Sequence, residues 1–364
     1  MKAAVLADRL KTILTLFSKN NSESYWLDKS SQVLTECIKL CRLYNDGYVT
    51  FSEIHKLITI PSYYIEKIKE LRLSFLSGKF QVKDVHDLLS SIEFFEKEFN
   101  SLDSRTSSIL KSEITRITGC FISDIDVLDI FSPNRDEINF FGFKDVVKNG
   151  KIVVLNMNIS EYNNLSKIIA AYLKLDFQTE VMARLANNSK PLRSVAFISD
   201  EYHEYITDTD ANFFAQSREA KCINIVATQS YSSLLSSLNN KYTTQVIIQN
   251  LINKFWFRTD DIFTIEDAQK QLGKEEKIKH SQSMSESSKN LKETSYFSHI
   301  LSFEKPNFSE SVNTYTQLDF IFDTNFFTQK LDTFNCIAFL STGNSIIPPQ
   351  TLCLVPYFIL DKDM

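Results

Sequence analysis

The stretch Ser194-Val-Ala-Phe-Ile-Ser-Asp200-Glu201 is an apolar run that ends in two carboxylates. A second apolar run, Ile223-Asn-Ile-Val-Ala-Thr-Gln229, follows it and ends in a glutamine. Buried strands of parallel sheets carry such runs, and they present polar side chains at their carboxyl ends. In nucleotide hydrolases the acidic strand is called Walker B, and its carboxylates serve Mg²⁺ and the attacking water. The two runs therefore predict neighbouring strands of an α/β core with a nucleotide site at their ends.

The sequence contains no phosphate-binding loop (Walker A) to complete such a site. That loop needs Gly, four residues and then Gly-Lys-Ser/Thr, because only a glycine-rich turn lets backbone N–H groups wrap a phosphate. Gly-Lys occurs three times among the seven glycines, at 78–79, 150–151 and 273–274. The residues that follow are Phe80, Ile152 and Glu275, and none of them carries a hydroxyl. Because most phosphate contacts come from the loop, we expect negligible ATP hydrolysis by this chain alone.

The composition limits the classes of protein to which the chain can belong. With 364 residues, 43% of them hydrophobic, it can bury two or three cores. A net charge of −5 argues against a generally basic nucleic-acid coat protein but leaves room for a local basic groove. No apolar run approaches the roughly 18 residues that span a membrane, and no signal-peptide pattern is seen. The six scattered cysteines predict buried free thiols in a reducing cytoplasm.

Four segments of the chain differ in their patterns. Residues 1–118 place apolar side chains at three- and four-residue spacing and predict an all-α domain. Over 119–273, β-rich runs alternate with helical segments, including a long helix over 160–185, which favours a mostly parallel sheet flanked by helices. Residues 274–300 are polar and predict a mobile linker, and 301–364 predict a small β-rich segment. The strands expected before the linker cover 137–143, 151–157, 193–199, 223–228 and 254–258.

Several motifs occur in an order that a known family shares. In chain order they are Asp200-Glu201, Arg218 in Ser-Arg-Glu-Ala, Gln229-Ser230, Asn250 in Ile-Ile-Gln-Asn, and a strand ending in Arg258-Thr-Asp260. This order resembles the C-terminal half of the TraG/TraD-like coupling ATPases of conjugative type IV secretion, including their TraM-recognition segment. These ATPases belong to the FtsK/HerA group of hexameric DNA pumps. Residues 1–118 resemble the helical domain that is inserted in such proteins.

The resemblance implies an α/β, RecA/HerA-like fold with a mostly parallel sheet flanked by helices, its P-loop half missing, preceded by the all-α domain. In the family, the P-loop and the membrane anchor lie N-terminal to the helical insert, so this chain looks like a C-terminal portion. The activity implied is a DNA-translocating ATPase that uses ATP and Mg²⁺ and holds single- or double-stranded DNA by its phosphates. The partners implied are DNA, relaxosome proteins, other copies in a homo-hexamer, and a separate P-loop and membrane half. The localisation implied is the bacterial cytoplasm, at the inner-membrane face when joined to an anchored half.

The resemblance also implies roles for four residues. Asp200 would hold Mg²⁺ through water, Glu201 would polarise the attacking water, and Gln229 would sense the γ-phosphate. Arg218 matches the position from which related ATPases offer a cationic finger to a neighbour's nucleotide. The family usually has Gly three residues later, where this chain has Lys221. Plainer interpretations are an acidic helix N-cap, a polar strand end and a solvated helix arginine.

Two further hypotheses compete with the ATPase. The chain could be a non-catalytic binding module that docks on a full-length coupling ATPase or on a relaxosome component. Residues 50–72 could instead form a DNA-binding helix-turn-helix with Lys67, Lys69 and Arg72 on its recognition helix, although helical-domain packing explains this pattern better. His203 is expected to be a surface residue at a helix entry, and Asn250 to make structural polar contacts.

Overall fold

The computed structural model describes residues 2–17, 24–78, 80–186, 193–287 and 307–355. Helices predominate over small sheets, which confirms the mixed α/β class expected from the sequence. The chain divides into two compact units: the first comprises Met1–Gln229 and Ser233–Leu251, and the second comprises Ser230–Ser232 and Ile252–Met364. Among the described residues, no helix is both long and apolar enough to cross a bilayer.

The helices up to residue 250 follow the apolar periodicity of the sequence. They are α1 (Ala3–Phe17), α2 (Ser24–Tyr44), α3 (Phe51–Thr59), α4 (Pro61–Leu76), α5 (Val82–Glu93), α6 (Ser104–Thr118), α7 (Ile125–Phe131), α8 (Phe143–Asn149), α9 (Ile159–Ala183), α10 (Asp210–Ser217), α11 (Tyr231–Leu238) and α12 (Lys241–Asn250). Side chains cap several of them by accepting from backbone N–H groups that lack a partner within the helix. Thr50 accepts from Glu53 before α3, and Asp103 accepts from Arg105 and Thr106 before α6.

One apolar core joins the N-terminal helices to the long helix α9. Its buried members include Leu14 on α1, Ile38 on α2 and Leu175 on α9. Arg9 on α1 also forms an ion pair with Asp176 on α9. Helix α9 is therefore held to the N-terminal helices by apolar packing and by an ion pair along the same stretch.

The first unit contains one pair of parallel strands among its described residues. Strands β1 (Val195–Ser199) and β2 (Cys222–Val226) pair in register, with Ser199 opposite Val226. The mostly parallel sheet that the sequence predicts is larger than this pair. Ile198 is 73% exposed, and Ile223 and Ile225 on β2 are each more than half exposed. One face of the pair thus carries apolar side chains that helices would cover in a complete α/β sheet.

The strands expected at 137–143 and 151–157 do not form, and these two predictions are wrong. Residue 143 instead begins helix α8, and residues 151–157 have no regular secondary structure. Ile152 and Val154 are 91% and 81% exposed. A β-rich sequence becomes a strand only when a neighbouring strand takes up its backbone hydrogen bonds and covers its side chains. The part of the chain that the structure describes provides no such neighbour here.

The second unit is built on an antiparallel sheet. Strand β3 (Lys254–Trp256) pairs with β6 (Asn335–Ser341), which pairs with β7 (Ile346–Cys353), and both pairs are antiparallel. Helix α13 (Ile262–Leu272) packs with this sheet through a core that includes Trp256 and Phe327. The prediction that residues 254–258 join a mostly parallel sheet is therefore wrong for β3, because its partner comes from a segment more than 70 residues downstream.

Residues 274–287 form a strand and not the mobile linker that their composition suggests. Strand β4 (Lys274–Ser287) pairs with β5 (Asn307–Phe320) in a long antiparallel hairpin. Paired residues share a face, and Ile278, Met284, Val312 and Leu318 fall on the same face with apolar side chains that are more than half exposed. The period of two was hidden by the many Ser, Lys and Glu residues of the other positions. The rest of the expected linker, residues 288–300, lies outside the described residues.

All six cysteines are free thiols, and four of them are buried. Burial raises the pKa of the Cys41 thiol to about 12, so this side chain stays protonated and acts as a small apolar group. Cys353 differs from the expectation because its position on β7 leaves it exposed.

Candidate functional site

The carboxyl ends of β1 and β2 lie side by side and are joined by backbone hydrogen bonds. The N–H of Ala227 donates to the carbonyl of Ser199 at 2.8 Å, and the N–H of Tyr202 donates to the carbonyl of Ala227 at 2.9 Å. Parallel strands bring their carboxyl ends to one edge of a sheet, which is where α/β proteins bind ligands. The residues after β1 and those after β2 therefore share one small site.

Asp200 and Glu201 form what we call the acidic turn. Glu201 has a left-handed backbone (φ 45°, ψ 43°), and its N–H donates to Oδ1 of Asp200 at 2.9 Å. The phenol of Tyr205 donates to the carbonyl of Asp200 at 2.6 Å and lies 2.6 Å from the hydroxyl of Ser199. Burial raises the pKa of Tyr205, so this phenol keeps its proton. The turn leaves the Asp200 side chain exposed at the strand edge.

Gln229 meets Glu201 across the two strand ends. Its Nε2 donates to Oε1 of Glu201 at 3.3 Å. The other carboxylate oxygen, Oε2, is buried and accepts no hydrogen bond from the described residues, and His203 Nδ1 lies 3.4 Å from it. His203 is only 13% exposed, and its Nδ1 also lies 3.3 Å from the hydroxyl of Thr228. The structure thus brings together Asp200, Glu201 and Gln229, and it adds a histidine that the sequence suggested was a surface residue.

His203 also faces a second carboxylate. Its Nε2 lies 3.6 Å from Oε1 of Glu204, whose other oxygen pairs with Lys167 on α9 at 2.5 Å. The imidazole is therefore flanked by the carboxylates of Glu201 and Glu204, a setting in which it can exchange hydrogen bonds with either one.

Arg218 does not join this cluster. It lies at the end of α10, just before β2 begins, whereas Gln229 follows the end of that strand. A strand of five residues places these two points roughly 16 Å apart along the sheet. Arg218 is exposed, and its guanidinium forms no ion pair with a described residue. The geometry leaves the side chain available to a neighbouring molecule and excludes direct action on the acidic turn of its own chain.

The turn after Arg218 has the conformation that a glycine favours. Lys221 has φ +53°, and its N–H donates to the carbonyl of Arg218 at 3.0 Å. Only glycine enters this region without a steric penalty from Cβ. The family usually has Gly where this chain has Lys221. The lysine keeps the backbone turn in place, at a cost in local strain.

The acidic turn fits a Mg²⁺ ion that arrives with a phosphate, and not one held by protein alone. No group of three or more His, Cys, Asp or Glu side chains in the described residues could hold a metal ion. Mg²⁺ in phosphate-transferring sites is usually bound by one or two carboxylates, by substrate phosphates and by water. The exposed carboxylate of Asp200 would be one such ligand, directly or through water, and phosphates would have to supply the rest.

The most buried polar group near the site was not identified from the sequence. Lys174 on α9 and Asp210 on α10 form an ion pair whose side chains are 1% and 0% exposed, and the residues after the acidic turn wrap around it. A signal was present, because Lys174 is the only charged residue in the run Ile168-Ile-Ala-Ala-Tyr-Leu-Lys174-Leu. A lone charge inside an apolar helix face indicates a buried partner.

Two of the three basic residues of the candidate helix-turn-helix, Lys67 and Arg72, are paired with glutamates of the helical region. Lys67 pairs with Glu70 at 2.9 Å and lies over the rings of Tyr44 and Tyr63. Arg72 pairs with Glu96 at 2.8 Å. These contacts support the interpretation that α3 and α4 are ordinary packed helices. Asn250 likewise makes a structural contact, because its side-chain amide donates to the carbonyl of Val246 in its own helix.

Comparison with known proteins confirms the family that the order of motifs indicated. Residues 98–315, more than half of the chain, match the family described as the DNA-binding domain of the type IV secretion-system coupling protein. This match begins after α4, so it does not include the candidate helix-turn-helix. No curated protein matches the chain in a sequence search.

Solved structures of a bacterial conjugative coupling protein have a similar fold. The unbound form of TrwBdeltaN70 is 15% identical, with a TM-score of 0.56. The plasmid coupling protein TrwB with a non-hydrolysable ATP analogue, and TrwB with ADP and Mg²⁺, are each 14% identical with a TM-score of 0.57. In all three comparisons the match covers 96% of this chain and 68% of the other. At this identity the likeness establishes the fold alone.

Proposed function

This chain belongs to the type IV secretion-system coupling protein family, and we propose that it is the C-terminal portion of a DNA-translocating ATPase that acts in conjugative transfer. The observation that carries the proposal is the hydrogen bond between Gln229 and Glu201, which joins the ends of two parallel strands. A glutamine and a carboxylate at adjacent strand ends can act on one ligand together. Plain capping residues would instead bond to their own loops.

The proposed roles follow from the positions of the side chains. Bound Mg²⁺ would neutralise the charge that develops on the transferred phosphoryl group. Asp200, exposed at the strand edge, would hold this ion through water. Glu201 would polarise the attacking water through its carboxylate, and Gln229 would sense the γ-phosphate while it holds Oε1 of Glu201.

The chain would need a phosphate-binding loop from another segment or another polypeptide. The sequence has no Gly-x-x-x-x-Gly-Lys-Ser/Thr, and about a third of the solved TrwBdeltaN70 chain has no counterpart in the matched region. The apolar face of β1 and β2, with Ile198 and Ile225 exposed, and the exposed run at 151–157 offer surfaces that a larger RecA/HerA-like sheet would cover. We therefore propose that this part of the chain completes its sheet with the P-loop half.

The remaining partners follow from the family and from Arg218. Because Arg218 cannot reach the acidic turn of its own chain, it would act as a cationic finger on the nucleotide of a neighbouring subunit in a homo-hexamer. DNA would be held through its phosphates with little sequence preference. Relaxosome proteins would bind the helical region, and the complex would work at the cytoplasmic face of the bacterial inner membrane.

Substitution of Glu201 by Gln tests the proposal. The change keeps the shape of the side chain and removes the charge that would polarise water, so DNA transfer between cells should fall by about 100-fold or more. Glu219→Gln is the matched control, because Glu219 is an exposed glutamate next to Arg218 and should tolerate the change. Both variants are compared at equal protein abundance. Transfer at the wild-type level by Glu201→Gln would refute the ATPase.

A non-catalytic binding module is the second candidate function, and it is favoured by the missing phosphate-binding loop and by the exposed face of β1 and β2. In that case the chain would dock on a full-length coupling ATPase or on a relaxosome component. The same experiment separates the two functions. If deletion of the chain abolishes transfer while Glu201→Gln does not, the docking function takes the place of the ATPase.

A further inference from the structure

The buried side chains of Lys174 and Asp210 form hydrogen bonds with each other and with several neighbouring groups. The three ammonium protons of Lys174 reach the carbonyl of Tyr205 at 2.7 Å, the hydroxyl of Thr207 at 3.0 Å and Oδ2 of Asp210 at 2.5 Å. The carboxylate of Asp210 accepts in addition from Gln178, from the phenol of Tyr202 and from the backbone N–H of Thr207. Every polar atom of the two side chains therefore has a partner, although the pair is closed to solvent.

All of these partners except Gln178, which lies on α9, come from the residues that follow the acidic turn. The phenol of Tyr202, the carbonyl of Tyr205 and the N–H and hydroxyl of Thr207 all converge on the pair. Tyr205 continues the connection, since its phenol donates to the carbonyl of Asp200. Segment 200–207 thus wraps around one buried charge pair that bridges α9 and α10.

Stability alone is a poor explanation for such a pair. Taking two charges out of water costs several kcal/mol for each ion, and a buried pair often contributes no more than well-packed apolar residues would. Burial lowers the pKa of Lys174, as expected when a charge is taken out of water. The carboxylate of Asp210 offsets only part of this shift. What a buried pair does provide is a defined position for its neighbours, because each of its hydrogen bonds requires the partner group to lie in one place.

We propose that Lys174 and Asp210 are positioning residues that hold the acidic turn, so that Glu201 faces Gln229. The expected effect on DNA transfer rests on the proposed function, whereas the geometry of the acidic turn does not depend on it. It explains how Glu201 keeps a left-handed backbone, since both Tyr202, the next residue, and Tyr205 are fixed by the pair or by its neighbours. The support comes from α9, which packs into the apolar core of the N-terminal helices.

The double variant Lys174→Met with Asp210→Asn tests this inference in the full chain. It removes both charges while keeping side chains of similar length, so the fold should be retained. The matched control is Arg9→Met with Asp176→Asn, which removes another ion pair of α9, one whose partner lies on α1 and not after the acidic turn. The two double variants should have similar thermal unfolding midpoints.

Two readouts distinguish positioning from general stability. Amide hydrogen exchange of segment 200–207 should become at least about tenfold faster in the Lys174 and Asp210 variant and stay unchanged in the control. DNA transfer should fall at least about tenfold in the first variant only, because misplacing a catalytic group by about 1 Å can cost about 100-fold. Equal effects of the two double variants on either readout would overturn the inference.

The outcomes also separate this inference from the proposed function. If Glu201→Gln abolishes transfer and the Lys174 and Asp210 variant does not, the positioning role is wrong and the ATPase stands. If Glu201→Gln has no effect, the ATPase fails, and with it any effect of the pair on transfer. If the double variant does not fold, Tyr202→Phe takes its place: it removes one hydroxyl that donates to Asp210, and unchanged exchange in segment 200–207 would then refute the positioning.

Discussion

Glu201 is the residue at which backbone geometry and proposed chemistry meet. Its left-handed conformation costs a non-glycine residue roughly 1 kcal/mol or more, and such strain persists where the surroundings over-determine it. Here the surroundings are the buried pair, the two tyrosines and the hydrogen bond from Gln229. In this conformation the carboxylate of Glu201 meets Gln229 at the end of β2, whereas one oxygen of Asp200 accepts from the N–H of Glu201. Two adjacent carboxylates can therefore take different roles.

Lys221 shows the same conformation without a comparable set of contacts. Lys221→Gly should stabilise the protein by about 0.5–1 kcal/mol, because glycine enters the left-handed region without the steric penalty of a Cβ atom. Thermal unfolding with a calorimeter measures the change. Lys221→Ala is the control, since it removes the charge and keeps Cβ. An equal gain from alanine would show that the side chain, and not the backbone, is responsible.

At the scale of single elements, strands in this chain form only where a partner strand is present. The run at 151–157 is as apolar and β-rich as β1, yet it remains without regular structure among the described residues. Residues 274–287 are far more polar, yet they form β4 because β5 supplies 14 paired positions. Pairing outweighs intrinsic propensity in both cases, as expected for a conformation whose hydrogen bonds all lie between strands.

The helices depend more on local signals, and the start of α13 is an example. Asp261 accepts from the backbone N–H and the hydroxyl of Thr264 and from the hydroxyl of Ser232. Burial raises the pKa of Asp261, but these hydrogen bonds outweigh it and leave the pKa lower than usual. The carboxylate therefore stabilises the helix above the ordinary pKa of about 3.9, and this contribution is lost as the pH falls through the lower pKa of the folded state.

Asp261→Ala should destabilise the first turn of α13 by about 1 kcal/mol at pH 7, because a capping side chain is lost. Amide hydrogen exchange of residues 262–266, compared with wild type at pH 7 and again below pH 3, measures the effect. The difference between the two proteins should shrink at the lower pH. A difference that does not depend on pH would show that the carboxylate charge has no part in the cap.

At the scale of the whole molecule, each of the two compact units has a core of its own. The first unit holds Asp200, Glu201, Gln229 and Arg218, and it also holds the exposed apolar face of β1 and β2. Exposed strand edges and apolar faces invite pairing with another chain or aggregation. The proposed nucleotide site lies at the ends of these same two strands, and the sequence contains no phosphate-binding loop to complete it.

Purified, monomeric protein of these 364 residues should therefore show no ATP hydrolysis above background. In the proposed site the acidic turn would place a carboxylate near Mg²⁺, but most phosphate contacts in nucleotide hydrolases come from a phosphate-binding loop, which this sequence does not contain. A coupled phosphate-release assay measures the activity, with Glu201→Gln as the control for a contaminating ATPase. Turnover that disappears in this variant would show that the chain holds phosphate by other means.

Most of the helices, the two parallel strands β1 and β2, and the grouping of Asp200, Glu201 and Gln229 were determined by the sequence itself. These features depend on local periodicity, capping residues and the rule that parallel strands end at one edge, all of which can be followed along the chain. The sequence also carried the family, through the order of its motifs, and the family comparison confirmed it.

Only the tertiary structure decided which strands pair and what supports the site. Strand β3 joins β6 across more than 70 residues, and Lys174 finds Asp210 across 36 positions. Neither pairing can be read from a local sequence pattern, because contacts between residues far apart in sequence depend on the whole path of the chain between them. His203 shows both cases, because Glu201 and Glu204 flank it from within two residues in sequence, whereas Thr228 reaches it across 25 positions.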